Sequence, residues 1–244
     1  MRIIKPFLNV YKKKDKHSEL VTQLLYGETF KKIKKSGSWL KIKNDSDKYV
    51  GFIKNINFSK NQKNTHKICS IKAPLYKKPN TKYKIKTALS FGSRIKIIDS
   101  KGIFCKFDNF WIKKKYLKKI NEKNKNLFFY INKFIGIKYV WGAKNYGGVD
   151  CSALVQLCIN YNNKFCPRDT SFQIRYFKKK IRFKNIKKND LIFWKGHVAV
   201  VISKKKLIHA YGPYKKVVVM PIKKTVKTIY ETANLKIIGI RRPF

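Results

Sequence analysis

The sequence predicts an α+β protein in which two small all-β units precede a mixed domain. Three observations support this prediction: an internal repeat in the first half, a change to helical spacing near residue 121, and a series of short apolar strands after residue 190. We therefore expect domains over residues 1–60, 66–120 and 121–244. A chain of 244 residues is long enough for each domain to bury its own core.

The first half of the chain repeats when it is shifted by 65 positions, so that Val10-Tyr11-Lys12 falls on Leu75-Tyr76-Lys77. Each repeat alternates apolar and polar residues over short stretches that are bounded by Gly, Ser, Asn and Asp. This pattern is typical of small all-β barrels. Further matches pair Leu24 with Leu89, Gly27 with Gly92, Phe30 with Ile95, Gly37 with Gly102, Trp39 with Phe104 and Ile42 with Phe107.

Residues 121–244 show a different pattern. Apolar residues recur at helical spacing from Leu127 to Phe134 and predict a helix that ends before Gly136. A second helix is expected to begin at Cys151, with Asp150 as its N-cap. Strands are then expected over residues 190–195, 197–203, 207–210, 217–222 and 236–240.

The formal net charge of +47 raises the question of nucleic-acid binding, because a basic surface attracts phosphate. Such binding requires the lysines to cluster, and here they are spread evenly through every segment. We therefore interpret the charge as compositional and do not expect a nucleic-acid partner. A cationic surface would still steer anionic ligands toward a cleft.

The five cysteines show neither an even count nor paired ligand spacing, so we expect reduced thiols and no zinc or other cofactor. At the N-terminus, Lys5 and Pro6 interrupt the apolar run before a signal-peptide core can form, and no segment is apolar enough to span a bilayer. These features favour a cytoplasmic protein, although a periplasmic or secreted one stays open.

One cysteine and two histidines have the placement that thiol catalysis requires. The first turn of a helix favours a thiolate at Cys151, because the positive end of the helix dipole lies there. His197 begins an apolar strand, and His209 lies 12 residues later, on what we expect to be the same face of the adjacent antiparallel strand. His209 could then orient His197, as the third member of a catalytic triad does.

The flanking residues carry a family resemblance. The segments 139–143 (YVWGA) and 147–155 (GGVDCSALV) resemble the catalytic signature of the NlpC/P60 cell-wall peptidases, and 189–194 and 197–201 resemble the later blocks of that family. Departures from the pattern are Ala153 and Ala199 in place of glycines, and Asn189 in place of the glycine before the aspartate. The resemblance implies a permuted papain-like catalytic domain, and the repeats before it resemble bacterial SH3-like domains.

Tandem SH3-like units before this domain resemble the γ-D-glutamyl-L-diamino acid endopeptidases, or dipeptidyl-peptidase VI group. That resemblance implies cleavage of peptidoglycan peptides of the form L-Ala-γ-D-Glu-diamino acid. By the same resemblance, Cys151 is the nucleophile, His197 the general base and acid, His209 the orienting residue, and Tyr139 a donor to the oxyanion. It also assigns substrate contacts to Asp150, Ser152, Asp169, Thr170, Trp141 and, in the first SH3-like unit, Glu28.

Four functions remain open from the sequence. The first is a cytoplasmic peptidase that recycles wall peptides with a free N-terminal L-Ala, and the second is a secreted endopeptidase that acts on intact wall. A non-enzymatic basic protein that binds wall polymer or nucleic acid would explain the charge but not the cysteine and histidine pattern. A thiol acyltransferase of the same catalytic fold would require a lipid-binding stretch, which the sequence does not show.

Overall fold

The protein is a mixed α/β structure of three α-helices and 21 strands. The computed structural model describes residues 1–244, which form two compact units. The first unit comprises residues 1–123 and 142–146, and the second comprises residues 124–141 and 147–244. No helix is both long and apolar enough to cross a bilayer.

The first repeat folds as an antiparallel sheet of five strands in the order β2-β1-β5-β4-β3. Its alternating sequence places Leu40 and Ile42 in the core, while Lys41 and Lys43 on the same strand are exposed. The strand character predicted for this stretch is therefore confirmed. The strands are β1 (Phe7–Tyr11), β2 (Leu20–Leu25), β3 (Phe30–Ser36), β4 (Trp39–Asn44) and β5 (Val50–Lys54).

The second repeat forms a five-stranded sheet in the order β10-β11-β12-β7-β8 and a three-stranded sheet in the order β13-β6-β9. Leu75, Leu89 and Ile112 are among its core residues. The strands are β6 (His66–Ile68), β7 (Lys72–Tyr76), β8 (Lys84–Ser90), β9 (Arg94–Ile95), β10 (Asp99–Lys101), β11 (Phe104–Phe107), β12 (Phe110–Lys113) and β13 (Leu117–Lys119). The short β14 (Lys144–Asn145) also belongs to the first unit.

The matched glycines of the two sequence repeats have nearly the same backbone conformation. Gly27 and Gly92 follow β2 and β8 with φ of 81° and 84°, and Gly37 and Gly102 have φ of 56° and 53°. These values lie in the left-handed region, which only glycine adopts at little cost. At Gly27, an added Cβ would also lie 1.8 Å from the carbonyl oxygen of Arg94. The matched glycines therefore mark equivalent turns.

The second unit is built on a six-stranded sheet in the order β16-β21-β17-β18-β19-β20, whose paired strands are antiparallel. The strands of this sheet are β16 (Lys179–Lys180), β17 (Leu191–Trp194), β18 (His197–Val201), β19 (Lys206–Tyr211), β20 (Lys216–Pro221) and β21 (Gly239–Arg242). The short strand β15 (Gly148–Val149) lies outside it. The helices are α1 (Cys151–Tyr161), α2 (Thr170–Tyr176) and α3 (Ile222–Ala233).

A helix precedes Gly136, as the spacing predicts, but it is short. This stretch forms turns and a short 3₁₀ helix, Ile131–Phe134, with hydrogen bonds from Phe129 to Asn126 and from Ile131 to Phe128. Positions three apart share a face in both helix types, so the apolar spacing fits either one. The side chain of Asn126 also accepts from the backbone N–H of Phe128, which favours a turn over a regular α-helix.

Asp190 anchors the end of the chain on the sheet. Its fully buried carboxylate accepts hydrogen bonds from both Nε and Nη2 of Arg242, at 2.7 and 2.9 Å. Asn189, at the position where the resemblance expects a glycine, has a φ of 76°. Asparagine tolerates this left-handed conformation better than most residues, so the substitution keeps the turn.

Candidate active site

Cys151 is the first residue of α1, as the sequence predicts. Asp150 is the N-cap, and its carboxylate accepts from the backbone N–H of Ala153 at 2.8 Å. The Cys151 sulfur lies 3.9 Å from the carbonyl oxygen of Gly196 and accepts backbone hydrogen bonds from Val198 and Ser152. The thiol therefore lies between the start of α1 and the start of β18, the strand that His197 begins.

The two histidines form the predicted pair. β18 and β19 are antiparallel neighbours, and Nε2 of His197 lies 2.9 Å from Nδ1 of His209. Tyr211 stacks on the His209 ring at 4.6 Å with an interplanar angle of 13°. Since Nε2 of His197 faces the second ring, its Nδ1 is the nitrogen that remains for the thiol.

Burial keeps the thiol and both imidazoles neutral. It raises the pKa of Cys151 to about 12, with the carboxylate of Asp150 adding to the shift, although two backbone N–H groups oppose it. Burial also lowers the pKa of His197 to about 4 and that of His209 to about 3. These shifts oppose the thiolate that the helix position of Cys151 favours. An ion pair forms only when the thiol proton moves to His197.

Tyr139 lies near the beginning of α1. It pairs with Val149 in a parallel bridge, which brings it close to the beginning of α1. Its pKa is raised above the usual range by burial first, and then by the neighbouring Cys151 and Asp150. Its hydroxyl therefore stays protonated and can donate a hydrogen bond to a developing oxyanion.

Asp150 and Ser152 belong to a buried network with Arg168. Nη1 and Nη2 of Arg168 donate to the two Asp150 carboxylate oxygens at 3.0 and 2.5 Å, and Nη1 also donates to the Ser152 hydroxyl at 2.7 Å. All three residues are buried. The sequence motifs predicted no role for Arg168, although its position two residues before α2 could have indicated one. The guanidinium holds the N-cap residue that precedes Cys151.

The other predicted substrate contacts in this unit have different surroundings. Asp169 and Thr170 are half-buried at the N-terminus of α2, where the Asp169 carbonyl accepts from Phe172 and Gln173. Trp141 is 55% exposed and so can contact a ligand. Their roles toward a substrate stay predictions.

Glu28 lies in the first unit, where its carboxylate has two protein partners. One oxygen lies 3.0 Å from Nζ of Lys144, and the other accepts from the backbone N–H of Leu25 at 2.7 Å. Gln23 holds the same segment by accepting from Lys144 N and Asn145 Nδ2 at 2.9 and 2.7 Å. Glu28 therefore fixes a buried lysine, and its role toward a substrate stays a prediction.

Acidification is expected to destabilise the protein between about pH 6.5 and about pH 4. Within this window the unfolded histidines bind protons, whereas His197, with a pKa of about 4, stays neutral when folded. The unfolded state therefore binds more protons, and the free energy of unfolding falls by up to about 1.4 kcal/mol per pH unit for each such histidine. Urea unfolding near pH 7 and near pH 5 measures this loss. The His209→Asn variant should show a shallower dependence, and an unchanged slope would contradict the assignment.

The site defines a hydrolase of the cysteine peptidase class, with a thiol at a helix start, a histidine pair and a tyrosine hydroxyl. Residues 136–234 match the model of the NlpC/P60 family, and residues 10–55 match that of the bacterial dipeptidyl-peptidase Sh3 domain. The chain therefore contains an NlpC/P60 peptidase domain together with a bacterial dipeptidyl-peptidase Sh3 domain, as the sequence motifs predict.

Known proteins resemble both units. The chain is 25% identical over 234 residues to Dipeptidyl-peptidase 6 of Lysinibacillus sphaericus, with 85% of this chain and 86% of that protein aligned. It is 34% identical over 84 residues to a Haemophilus influenzae protein named "Probable endopeptidase NlpC homolog", covering 32% of this chain and 44% of that protein. A crystal structure of an NlpC/P60 family protein from Bacillus cereus superposes with a TM-score of 0.83 at 19% identity, covering 99% of this chain and 98% of that one. The last match shows a shared fold.

Proposed function

We propose that this protein hydrolyses the bond between γ-D-glutamate and the diamino acid in short peptidoglycan peptides that carry a free N-terminal L-Ala. The observation that carries the proposal is the alignment with Dipeptidyl-peptidase 6, which extends over 85% of the chain and so includes both units. The match of residues 10–55 to the dipeptidyl-peptidase Sh3 domain supports the same group. This activity fits the recycling of wall peptides in the cytoplasm.

The arrangement around Cys151 supports a two-step acyl transfer. As the sulfur attacks the γ-glutamyl carbonyl carbon, its proton moves to Nδ1 of His197. The Cys151 backbone N–H and the Tyr139 hydroxyl stabilise the oxyanion. His197 then protonates the departing amine of the diamino acid, which leaves a thioester on Cys151. A water molecule that His197 deprotonates hydrolyses the thioester and releases L-Ala-γ-D-Glu.

The substrate assay compares L-Ala-γ-D-Glu-diaminopimelate with its N-acetylated form. The proposal expects cleavage of the free-amine peptide, with kcat/KM at least about tenfold higher than for the acetylated peptide, since one hydrogen-bonded ammonium–carboxylate contact contributes about 1.5–3 kcal/mol. Liquid chromatography of the products measures both rates. Equal cleavage would instead indicate a wall endopeptidase, and no cleavage of either peptide would contradict a peptidase of this specificity.

The Glu28→Gln variant tests whether that carboxylate recognises the amine. If it does, the variant should lose the preference for the free-amine peptide, because no carboxylate then faces the ammonium. The matched control is Lys144→Met, which removes the cation that lies 3.0 Å from Glu28 and leaves the carboxylate in place. Lys144→Met should keep the preference. If both variants behave alike, or if Glu28→Gln keeps the preference, Glu28 only holds the Lys144 segment.

A further inference from the structure

A thioether contacts His209, the second histidine of the pair. The sulfur of Met220 on β20 is 3.3 Å from Nε2 of His209, on the side of the ring opposite His197. Strand β20 pairs with β19 in a register that places His209 across from Val218 and Leu207 across from Met220. Both Met220 and His209 are buried, with exposures of 5% and 0%.

We propose that Met220 is a positioning residue that sets the tautomers of His209 and His197, so that Nδ1 of His197 is free to take the thiol proton. The inference rests on the proposed catalytic roles of Cys151 and His197. It assigns a task to a residue whose sulfur contacts His209.

The assignment follows from which atoms can donate. A thioether sulfur carries no hydrogen and can only accept, so His209 Nε2 carries the hydrogen that points at Met220. A neutral imidazole has one N–H, and Nδ1 of His209 is therefore an acceptor. His197 Nε2, 2.9 Å away, must then donate to it. The same rule leaves Nδ1 of His197 without a hydrogen, which is the form that a general base requires.

The opposite pair of tautomers would be inactive. A hydrogen on Nδ1 of His209 would point at Nε2 of His197 and force the His197 hydrogen onto Nδ1, which could not then accept from Cys151. It would also direct the His209 Nε2 lone pair at the sulfur lone pairs. Because His209 is fully buried, no solvent contact compensates for that loss. The sulfur is a weak acceptor, but it is the acceptor that this nitrogen faces.

The tautomers can be measured directly by imidazole ¹⁵N NMR of the full-length protein near pH 7. The proposal expects a hydrogen on Nε2 of both His197 and His209 in the unmodified protein. A hydrogen on Nδ1 of His209 there would overturn it without recourse to any variant. This result does not depend on peptidase activity, so it separates failure of this inference from failure of the proposed function.

The Met220→Leu variant removes the acceptor at similar side-chain volume. The expected result is a mixture of His209 tautomers and a decrease in kcat of about tenfold, with KM unchanged. The chain has only two methionines, Met1 and Met220, so selenomethionine labelling replaces this one internal sulfur by selenium. Selenium is also an acceptor, and the labelled protein should keep the wild-type tautomers and kcat.

Ile229→Leu is the matched control, since Ile229 is on α3 and belongs to the same core cluster as Met220. It should leave the tautomers and kcat unchanged. If Met220→Leu lowers kcat while the Nε2–H tautomers persist, Met220 acts by packing alone and the proposal is wrong. Unchanged tautomers and unchanged kcat in Met220→Leu would also overturn it.

Discussion

Replacing Cys151 with alanine is expected to lower kcat for peptide hydrolysis by about 10⁴-fold or more, because no other group can form the acyl intermediate. Steady-state kinetics with the free-amine peptide would measure the loss, and circular dichroism would show that the fold is kept. The sulfur lies at the start of α1, 3.9 Å from the carbonyl oxygen of Gly196, the residue before His197, so the variant would leave the histidine pair without its proposed nucleophile.

Cys158→Ala is the matched control for that experiment. Cys158 lies on the same helix, two turns further along, and is also buried. It should retain activity, with some loss of stability from the small cavity that the truncation leaves. Substantial hydrolysis by Cys151→Ala would mean that another residue is the nucleophile.

Replacing Arg168 with methionine is expected to lower the free energy of unfolding by about 3–5 kcal/mol. The Arg168 guanidinium and the Asp150 carboxylate are 1% and 7% exposed, so the variant leaves a buried carboxylate without its cation. Urea denaturation followed by tryptophan fluorescence would measure the change.

Lys227→Met is the comparison, since Lys227 pairs with Glu231 at 3.6 Å on the exposed face of α3. Removal of that surface pair should change stability by less than about 1 kcal/mol. If Arg168→Met were as mild, and raised KM instead, Arg168 would bind substrate rather than hold the N-cap.

The sequence alone predicted the elements that local rules determine. Asp150 before an apolar run predicted the start of α1, and the spacing of His197 and His209 predicted their contact across two strands. Helix α3 was missed even though Ile222, Val226 and Ile229 recur at helical spacing, because the end of β20 runs directly into it. The helix predicted before Gly136 is a short 3₁₀ helix at 131–134, a type that the apolar spacing does not distinguish from an α-helix.

The remaining features depend on residues that are distant in the sequence. Arg168 reaches Asp150 across 18 positions, and Lys144 reaches Glu28 across 116. No periodicity marks such partners, because only the folded chain brings them together. The protonation state of Cys151 could not be predicted either. Helix position favours a thiolate, but burial has the larger effect on its pKa.

The most direct test of the central claim is the mass of an acyl-enzyme. An activated γ-ester of L-Ala-γ-D-Glu should acylate the protein faster than the thioester hydrolyses. Acid quenching, proteolysis and mass spectrometry can then locate the adduct among the five cysteines. Catalysis by Cys151 predicts a single L-Ala-γ-D-Glu adduct on the peptide that contains this residue, and the fragment ions should place it on sulfur. An adduct on the neighbouring Ser152, on another cysteine, or on no residue at all would contradict it.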